Sequence, residues 1–295
     1  MRFFHYTAAR ADRPAWLDRS QYPFDSHYAA LPQGRMHYLD EGHGRPIVMM
    51  HGNPGWSFEY RHVVAALRDS HRCIAPDYLG FGLSDKPTDW AYLPALHAQY
   101  VAAWLDALDL QDLTLVVNDW GGPIGLHYAL LRPERIARLV ILNTWLWPVQ
   151  DQWHFRAFSG FMGGVVGRFL TRQFNFFGRV VVPLVMGQPS QLAAAVHRHY
   201  YAHMPRPDDR KGCQVFPREL IRSSAWLEHL WAQRDAIRHL PTTFVWGLRD
   251  PAFRPQELAR WLTYWPQARV IRLPRVGHFP QEEAPEAVIA ALRQE

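Results

Sequence analysis

Short apolar runs rich in β-branched residues alternate along this chain with longer segments in which apolar residues recur every three to four positions. The short runs predict buried strands, because turn residues close them. The longer segments predict amphipathic helices. A chain in which strands and helices alternate forms βαβ units, whose strands lie parallel in one sheet. We therefore predict an α/β fold with a mostly parallel central sheet.

All of the predicted elements lie before residue 148 or after residue 238. The predicted strands cover residues 35–39, 46–50, 72–76, 113–118, 139–143, 242–246 and 270–273. The predicted helices cover residues 58–67, 96–108, 122–131 and 284–292.

Between residues 148 and 238 the chain shows no clear strand and carries many aromatic side chains. This segment predicts a helical insertion. Because it lies between two strands, it would project from the carboxyl edge of the sheet, where open α/β folds bind ligands. We therefore expect a core domain of residues 25–147 and 239–295, a helical cap of residues 148–238, and an irregular N-terminal arm of residues 1–24.

The composition disfavours several classes of protein. The 295 residues, 48% of them hydrophobic, suffice for a large core. No stretch approaches the roughly 20 consecutive apolar residues of a membrane-spanning helix, so we expect no membrane partner. The 32 basic residues are interleaved with 27 acidic ones, which disfavours nucleic-acid binding. The N-terminus lacks the apolar region of a secretory signal. Cys73 and Cys213 are too few for a disulfide framework or a cysteine metal site, and we expect a cytoplasmic location.

The strongest local signal is the segment Leu-Val-Val-Asn-Asp-Trp-Gly-Gly at residues 115–122. An apolar strand ends, the acidic residue Asp119 follows, and two glycines open a helix, which is the pattern of a nucleophile elbow. Val117 stands where the usual elbow has Gly, so the match is incomplete. The alternative is that Asp119 serves only as the N-cap of the helix, since Asp is favoured there.

Three further loops follow predicted strands. The segment His-Gly-Asn-Pro at residues 51–54 lies where this type of fold supplies oxyanion-hole donors, although Gly-Asn-Pro is also an ordinary turn. Asp250 follows the strand at 242–246, in an Asp-Pro pair that is also typical of a turn alone. His278 follows the last strand and could act as a general base, although most of the 16 histidines are expected on the surface or in packing.

The chain order of these residues joins the separate signals. Asp119, Asp250 and His278 follow one another as nucleophile, acid and histidine, each at the end of a strand, which is the order of the α/β-hydrolase triad. We therefore predict Asp119 as the nucleophile, His278 as the base, and Asp250 as the acid that orients the imidazole.

An aspartate nucleophile indicates a particular chemistry. Free Asp has a pKa of about 3.9 and is ionised at neutral pH without help from a base. A carboxylate suits attack at a saturated carbon, which gives an alkyl-enzyme ester. His278 would then deprotonate the water that hydrolyses this ester. The backbone N–H groups of Asn53 and Trp120 would hold the oxyanion.

The leaving group distinguishes two reactions. A halide needs only hydrogen-bond donors, and the indole N–H of Trp120 and the side-chain amide of Asn53 are such donors. An epoxide needs a proton donor for its alkoxide, and Tyr200 and Tyr201 in the helical insertion leave that route open.

From about Tyr28 to its C-terminus the chain resembles the haloalkane dehalogenases of the α/β-hydrolase superfamily. The most specific matches lie at residues 51–54, 74–77, 80–87, 118–121 and 277–279.

The resemblance implies that Asp119 is the nucleophile, that His278 is the base, and that Asn53 and Trp120 bind the halide. Some members of the family place the acid as a Glu after the sixth strand. The matching region here, Leu-Asn-Thr-Trp at residues 142–145, has no carboxylate at that position. The acid is then Asp250, as in the third subfamily.

The resemblance also implies an α/β-hydrolase fold whose helical cap is inserted between the sixth and seventh strands. The expected activity is that of a haloalkane dehalogenase, with a small apolar halogenated substrate and a halide ion as its partners, no cofactor and no metal. Epoxide hydrolase is the alternative activity. A non-catalytic ligand-binding homologue is the alternative that keeps the scaffold without turnover.

Two other groups of residues receive structural interpretations. His197, His199 and His203 include a pair at helical i, i+4 spacing, but no nearby Cys or metalloprotease Glu supports a metal site. Asp77 follows a predicted strand and is interpreted as a turn residue.

Overall fold

This computed structural model describes residues 5–7 and 14–294. These residues form a single sheet of nine strands with helices packed on both of its faces. The strands are β1 (His5–Thr7), β2 (His27–Leu31), β3 (Gly34–Glu41), β4 (Arg45–Met50), β5 (His71–Pro76), β6 (Leu113–Val117), β7 (Ile136–Leu142), β8 (Thr242–Gly247) and β9 (Arg269–Leu273). Their order in the sheet is β1-β2-β3-β5-β4-β6-β7-β8-β9. Strands β4 to β9 run parallel, and β1 to β3 join them as an antiparallel edge. The predicted α/β fold is confirmed.

Helices connect the strands from β4 onwards. They are α1 (Arg61–Leu67), α2 (Pro94–Leu108), α3 (Gly121–Leu131), α4 (Trp153–Met162), α5 (Val165–Phe174), α6 (Val182–Val185), α7 (Ala194–Ala202), α8 (Lys211–Arg222), α9 (Ser224–Ala232), α10 (Pro255–Tyr264), α11 (Pro280–Glu283) and α12 (Pro285–Arg293). Helices α4 to α9 lie between β7 and β8, where a helical insertion was predicted. The insertion follows the seventh strand rather than the sixth, because β1 adds an edge strand. Among the described residues, no helix is both long and apolar enough to cross a bilayer.

The N-terminal region departs from its prediction at one point. The sequence predicts an irregular arm for residues 1–24, but His5–Thr7 form β1 and pair antiparallel with β2. The expectation is therefore wrong for these three residues. No alternating apolar pattern marks this edge pair, whose ladder consists of main-chain hydrogen bonds that any residue type can make. Residues 1–4 and 8–13 lie outside the described part of the chain.

Apolar side chains cover both faces of the sheet, as a parallel sheet requires. Along β4, Ile47 and Met49 belong to one buried cluster, whereas Val48 and Met50 belong to the other. Residues of α1 and α12 pack in the cluster of Ile47 and Met49, and residues of α2 and α3 pack in the cluster of Val48 and Met50. Since helices close both faces, the carboxyl ends of the strands are left as the place for polar functional groups.

Asp77 is a buried hub rather than the simple turn residue that the sequence suggested. Its side chain is fully buried after β5. Oδ1 accepts a hydrogen bond from the backbone N–H of Ser57 at 2.7 Å, and Oδ2 accepts one from the N–H of Leu83 at 2.8 Å. Nδ1 of His37 lies 2.9 Å from Oδ2. Burial by itself would raise the pKa of Asp77, but the charge and hydrogen bond of His37 outweigh it and lower the pKa to about 2.

Replacement of Asp77 by Ala is expected to destabilise the protein by about 3–5 kcal/mol, because it leaves His37 buried without its partner. The ionised Asp77 stabilises the fold above its unfolded pKa of 3.8, and this contribution is lost as pH falls through about 2. Urea unfolding of the wild type and Asp77→Ala between pH 2 and pH 7 measures both effects, with the exposed Asp69→Asn as control. Equal stability of the Asp77→Ala variant and the wild type would contradict the hub role.

Candidate active site

Asp119 lies in the tight turn between β6 and α3, with a φ of +48°. Such a left-handed backbone is uncommon outside Gly and is concentrated at functional sites. A Cβ at Gly121 or Gly122 would collide with the end of β4 or with the loop after β7, so these glycines allow the helix to approach the sheet. No side chain caps α3. The local geometry is therefore that of the elbow and not of the N-cap alternative.

The carboxylate of Asp119 has two different oxygens. Oδ1 accepts a hydrogen bond of 2.7 Å from the backbone N–H of Asn53, and the carboxylate also accepts one from the N–H of Trp120. Oδ2 lies 3.6 Å from Nε2 of His278. Oδ1 is thus held by a main-chain amide, and Oδ2 faces the imidazole.

The structure brings all three predicted triad residues together. Nδ1 of His278 lies 2.9 Å from Oδ2 of Asp250, so the imidazole stands between the two carboxylates. Oδ1 of Asp250 accepts a hydrogen bond from the backbone N–H of Ala252 at 2.8 Å. The backbone N–H of His278 donates to the carbonyl of Val185 at 2.9 Å, which joins the histidine loop to α6. Each group therefore has at least one fixed partner.

Burial and the neighbouring charges have opposite effects on the pKa of each of the two central groups. For His278, burial opposes the charged form, but the charges of Asp250 and Asp119 outweigh it and raise the pKa to about 9. For Asp119, burial raises the pKa, while His278 and the amides of Asn53 and Trp120 oppose the increase. The argument from the ordinary pKa of free Asp is therefore incomplete, because the ionised form of Asp119 depends on these partners.

Asn143 is a functional neighbour that the sequence argument missed. Its Nδ2 donates to Oδ2 of Asp250 at 3.0 Å and to the carbonyl of Gly247 at 2.9 Å, and its Oδ1 accepts from the N–H of Gly247 at 2.8 Å. Asn143 lies in the loop after β7, the region that carries no carboxylate in this chain. The amide there holds the acid supplied by the loop after β8.

A second network of buried hydrogen bonds reaches the backbone of His278. Nε2 of Gln281 donates to Oε1 of Glu59 at 3.1 Å and to Oδ1 of Asn118 at 3.0 Å. Nδ2 of Asn118 in turn donates to the carbonyl of His278 at 3.1 Å. Burial, reinforced by the charge of Asp119, raises the pKa of Glu59 well above its usual value. None of these three polar residues stands out in the sequence, because a polar side chain carries no sign that it will be buried.

A cavity of about 250 Å³ opens beside Asp119 and is lined mostly by apolar side chains. The site residues on its wall are Asn53, Asp119, Trp120 and His278. Asp250 contacts the far side of the His278 imidazole and does not line the cavity. The remaining wall consists of Pro54, His154, Phe155, Phe158, Phe177, Val181, Val182, Val185, Pro217, Leu220, Pro251, Ala252, Phe253 and Phe279.

Two hydrogen-bond donors on this wall are available to a ligand. Within the described part of the chain, neither the indole nitrogen of Trp120 nor the side-chain nitrogen of Asn53 donates to a protein group. Both residues are nevertheless almost fully buried, with exposed fractions of 2% and 6%. Donors in an apolar cavity interact with an anion more strongly than donors in water. The arrangement fits a small anion held next to Asp119.

The structure does not bring Tyr200 and Tyr201 to the cavity. The hydroxyl of Tyr200 donates to Oε2 of Glu282 at 2.8 Å, and the ring of Tyr201 packs under the guanidinium of Arg179. Neither tyrosine is on the cavity wall. The phenolic donor that an epoxide would need is therefore not supplied by these two residues.

The three histidines of the insertion have structural partners. His197 and His199 contact backbone carbonyls, and Nδ1 of His203 accepts from the N–H of Gly82 at 3.0 Å. The described residues contain no cluster of His, Cys, Asp and Glu that could hold a metal ion.

Replacement of Asp250 by Asn is expected to slow hydrolysis of the covalent intermediate by about 10³–10⁴-fold, because the imidazole loses its orienting partner. The charge of Asp250 raises the pKa of His278, so the variant should have a lower pKa. Since the base must be neutral, the half-maximal pH of this step should shift downward while its maximum rate falls. Single-turnover rates between pH 5 and pH 10 test this, and an unchanged midpoint would contradict it.

Comparison with known proteins agrees with the fold. The α/β hydrolase fold family matches residues 45–285. Haloalkane dehalogenase 2 of Mycobacterium tuberculosis is 38% identical over 93% of this chain and 96% of its own length. The cis-3-alkyl-4-alkyloxetan-2-one decarboxylase of Shewanella oneidensis is 36% identical over 92% of this chain and 88% of its own.

The solved structures give the same result. Haloalkane dehalogenase DatA of Agrobacterium tumefaciens superimposes with a TM-score of 0.80 at 26% identity, covering 90% of this chain and 94% of that structure. An ancestral haloalkane dehalogenase superimposes with a TM-score of 0.79 at 27% identity, covering 90% and 96%. Since the family match covers residues 45–285 and a relative named haloalkane dehalogenase 2 is 38% identical over 93% of the chain, this protein belongs to the α/β-hydrolase fold family and, within it, to the haloalkane dehalogenases.

Proposed function

We propose that this haloalkane dehalogenase hydrolyses small haloalkanes by means of Asp119, His278 and Asp250, with Asn53 and Trp120 holding the halide. The observation that carries this proposal is the position of the Asp119 carboxylate, which lies on the wall of the apolar cavity and faces His278. Its Oδ1 accepts a hydrogen bond from the backbone N–H of Asn53, and the carboxylate also accepts one from the N–H of Trp120. Its Oδ2 lies 3.6 Å from Nε2 of His278, and Asp119 lines the cavity. The buried carboxylate of Asp77 also contacts backbone amides and a histidine, but Asp77 does not line this cavity, whereas Asp119 does.

In the first step, Oδ2 of Asp119 attacks the carbon that bears the halogen. A C–O bond forms, the carbon–halogen bond breaks, and the halide leaves with the bonding electrons. The indole N–H of Trp120 and the side-chain amide of Asn53 stabilise the departing anion. The product of this step is an alkyl ester of Asp119.

In the second step, Nε2 of His278 takes a proton from water, and the resulting hydroxide attacks the ester carbonyl of Asp119. Oδ1 becomes the oxyanion, held by the N–H of Asn53 that already contacts it. The N–H of Trp120, which already donates to this carboxylate, is the second donor. The C–O bond between the carbonyl carbon and the alkoxide oxygen breaks, and the alkoxide takes the proton of the regenerated Asp119 carboxylic acid to give the alcohol. The imidazolium of His278 then releases its proton to solvent. The overall reaction converts haloalkane and water into alcohol, halide and a proton.

Esterification also prepares the base. The charge of Asp119 is one of the causes of the raised pKa of His278. That charge is absent from the neutral ester, so the pKa of His278 falls when a base is needed. Asp250 keeps the imidazole in place and stabilises the imidazolium as it forms.

Replacement of Asn53 by Ala or of Trp120 by Phe is expected to lower kcat/KM for 1-bromobutane by about 10²-fold each. Each change removes one donor from the departing halide, and losses of this size follow the removal of a single oxyanion donor. Asn53→Ala keeps the backbone N–H that binds Asp119. Bromide titration should show weaker binding in both variants, and the exposed Trp153→Phe should match the wild type. Unchanged bromide affinity in both would contradict the assignment.

A second candidate reaction comes from the relatives named as cis-3-alkyl-4-alkyloxetan-2-one decarboxylases. Attack of Asp119 at the alkyl-bearing ring carbon next to the ring oxygen would open the lactone and release a carboxylate into the donors of Asn53 and Trp120. Loss of CO₂ would then form the alkene and return the electron pair to the Asp119 oxygen. This sequence is balanced without water, so it does not need His278 as a base.

Product analysis separates these possibilities. We expect bromide and alcohol from 1-bromobutane or 1,2-dibromoethane. An epoxide hydrolase would instead give the diol from styrene oxide, and a lactone decarboxylase would give an alkene from a cis-3,4-dialkyl β-lactone. Diol or alkene formation without any bromide release would overturn the proposal. A non-catalytic homologue would bind ligand without forming any product, and Asp119→Asn would then leave its affinity unchanged.

We also propose that residues 148–238 form a cap over a core of residues 25–147 and 239–295. Phe155, Phe177 and Leu220 of this segment, which line the cavity above Asp119, support the division. A cytoplasmic location is proposed for the reasons given from composition. It fits the two buried cysteines, which are unpaired in the described part of the chain.

A further inference from the structure

The distribution of charge in the cap segment is unusual. No Asp or Glu occurs from residue 152 to residue 207, whereas six arginines do: Arg156, Arg168, Arg172, Arg179, Arg198 and Arg206. This stretch therefore has a charge of +6, and since the whole chain has a net charge of +5, the rest of the chain has a net charge of only −1. The net positive charge of the protein is therefore concentrated in this segment, because the basic residues elsewhere are balanced by acidic ones.

The same unit carries the exposed apolar side chains. Of the large hydrophobic residues that are exposed in the described part of the chain, all but Leu131 lie between residues 153 and 184. Six of them lie on the hairpin of α4 and α5, and one of these, Trp153, is at the start of α4. The other five lie between residues 161 and 174, and we call this group the apolar tip: Phe161, Val165, Val166, Phe169 and Phe174.

The apolar tip protrudes. Val165 is 85% exposed, and Phe161, Val166, Phe169 and Phe174 are each 50–61% exposed. The rings of Phe169 and Phe174 contact each other with centroids 6.2 Å apart, so the group includes a continuous aromatic pair. An exposed cluster of this size on a single hairpin is a mark of an interaction surface.

Cations accompany the apolar tip on both helices. Arg156 on α4 and Arg168 on α5 are exposed and form no ion pair with any described residue, while Arg172 pairs at the surface with Asp208. A second copy of the chain docked symmetrically on this face would bring arginines against arginines. The charge therefore favours an anionic occupant.

From these features we propose that the α4–α5 hairpin docks the protein on an anionic lipid bilayer, with the apolar tip inserted among the acyl chains and the arginines at the headgroups. Protruding Phe and Val side chains next to arginines are the composition of interfacial anchors. Each arginine near an anionic surface adds attraction that salt screens. The expectation of no membrane partner rested on the lack of a spanning helix, and a surface-bound hairpin needs none.

The docked orientation would place the cavity close to the lipid. Phe155 and Phe158 of α4 line the cavity, whereas Phe161 of the same helix belongs to the apolar tip. Given the proposed function, apolar substrate dissolved in the bilayer would lie within reach of the cavity. The docking itself does not depend on that function.

Co-sedimentation with vesicles tests the proposal. The full chain should bind vesicles of phosphatidylcholine with phosphatidylglycerol, should bind phosphatidylcholine alone at least about tenfold more weakly, and should be released by high salt. The double variant Val165→Ser, Phe169→Ser should lose at least about tenfold in binding. Leu131→Ser, at the exposed apolar residue outside the cap segment, should bind like the wild type.

Three outcomes would overturn the proposal. The first is no binding to anionic vesicles, and the second is equal binding by the double variant. The third is self-association in sedimentation velocity without lipid, lost in the double variant, which would show that a second copy covers the face. Because neither substituted residue lines the cavity, bromide release from water-soluble 1,2-dibromoethane should be unchanged in the double variant. If the wild type itself releases no bromide, that result would count against the proposed function and not against the docking.

Discussion

Halide release should fall by at least about 10⁴-fold when Asp119 is replaced by Ala or Asn, the largest loss that we expect at any position. Neither side chain offers a carboxylate, so the C–O bond of the first step cannot form. The fold should survive, because the elbow is held by Gly121, Gly122 and the backbone hydrogen bond from Asp119 N–H to Asn143. Bromide release from 1-bromobutane measures the loss, and circular dichroism verifies the fold.

The two variants serve different purposes. Asn preserves the shape of Asp119 but is open to slow hydrolysis to Asp in a site built to activate water, so a slow recovery of activity in Asp119→Asn would itself support the mechanism. Asp119→Ala has no such route. Asp69→Asn, at an exposed position, is the matched control and should retain full activity. Substantial bromide release by freshly prepared Asp119→Ala would show that another group attacks the substrate.

Replacement of His278 by Phe should separate the two steps. Attack by Asp119 needs no base, so halide should appear in a burst of about one equivalent per site. Hydrolysis of the ester should then slow by at least about 10³-fold, within the range of general-base catalysis. The intact protein should gain the mass of the alkyl group, and peptide mapping should locate it on Asp119.

The matched control for this variant is the exposed His43→Phe, which should show neither the burst nor the adduct. The lactone reaction responds differently, because alkene formation from the ring-opened ester uses no water. If His278→Phe loses bromide turnover but still forms alkene from a β-lactone, both activities share Asp119 and only one needs the histidine. Continued multiple turnover of 1-bromobutane by His278→Phe would contradict the role of the base.

The sequence predicts the parallel part of the sheet well, because strands that are buried on both faces consist of continuous apolar runs. The segments now seen as β4 to β8 are continuous apolar runs, such as Pro-Ile-Val-Met-Met at residues 46–50, and a sheet covered on both faces requires that pattern. β1 and β2 carry no such mark, since their place at the edge depends on main-chain pairing. For that reason the prediction of an irregular arm fails at β1, and β2 is absent from the predicted strands.

The positions of Asp119, Asp250 and His278 were predictable because each follows a strand directly. In a parallel sheet, strand ends meet at one edge, so spacing along the chain converts into proximity. Asn143 and Gln281 were not predictable in this way, because their roles depend on hydrogen bonds between loops. The pKa of Asp119 is also beyond the sequence, because it depends on how deeply the turn is buried.

The residues that line the cavity could be identified only from the folded structure of the cap segment. The sequence shows many aromatic residues between 148 and 238, but it does not show which of them face Asp119. Phe158 and Phe161 are three residues apart on α4, yet one lines the cavity and the other is half exposed. Tyr200 was a candidate proton donor by composition alone, and its contact with Glu282 takes it out of the site.

The most direct test of the covalent mechanism is a single turnover of 1-bromobutane by excess wild-type enzyme in water labelled with oxygen-18. If Asp119 attacks the substrate and water then attacks the ester carbonyl, the first alcohol carries ordinary oxygen and the heavy isotope appears in the Asp119 peptide. Direct attack of water on the substrate would put the label in the alcohol and leave Asp119 unlabelled, and that result would contradict the account.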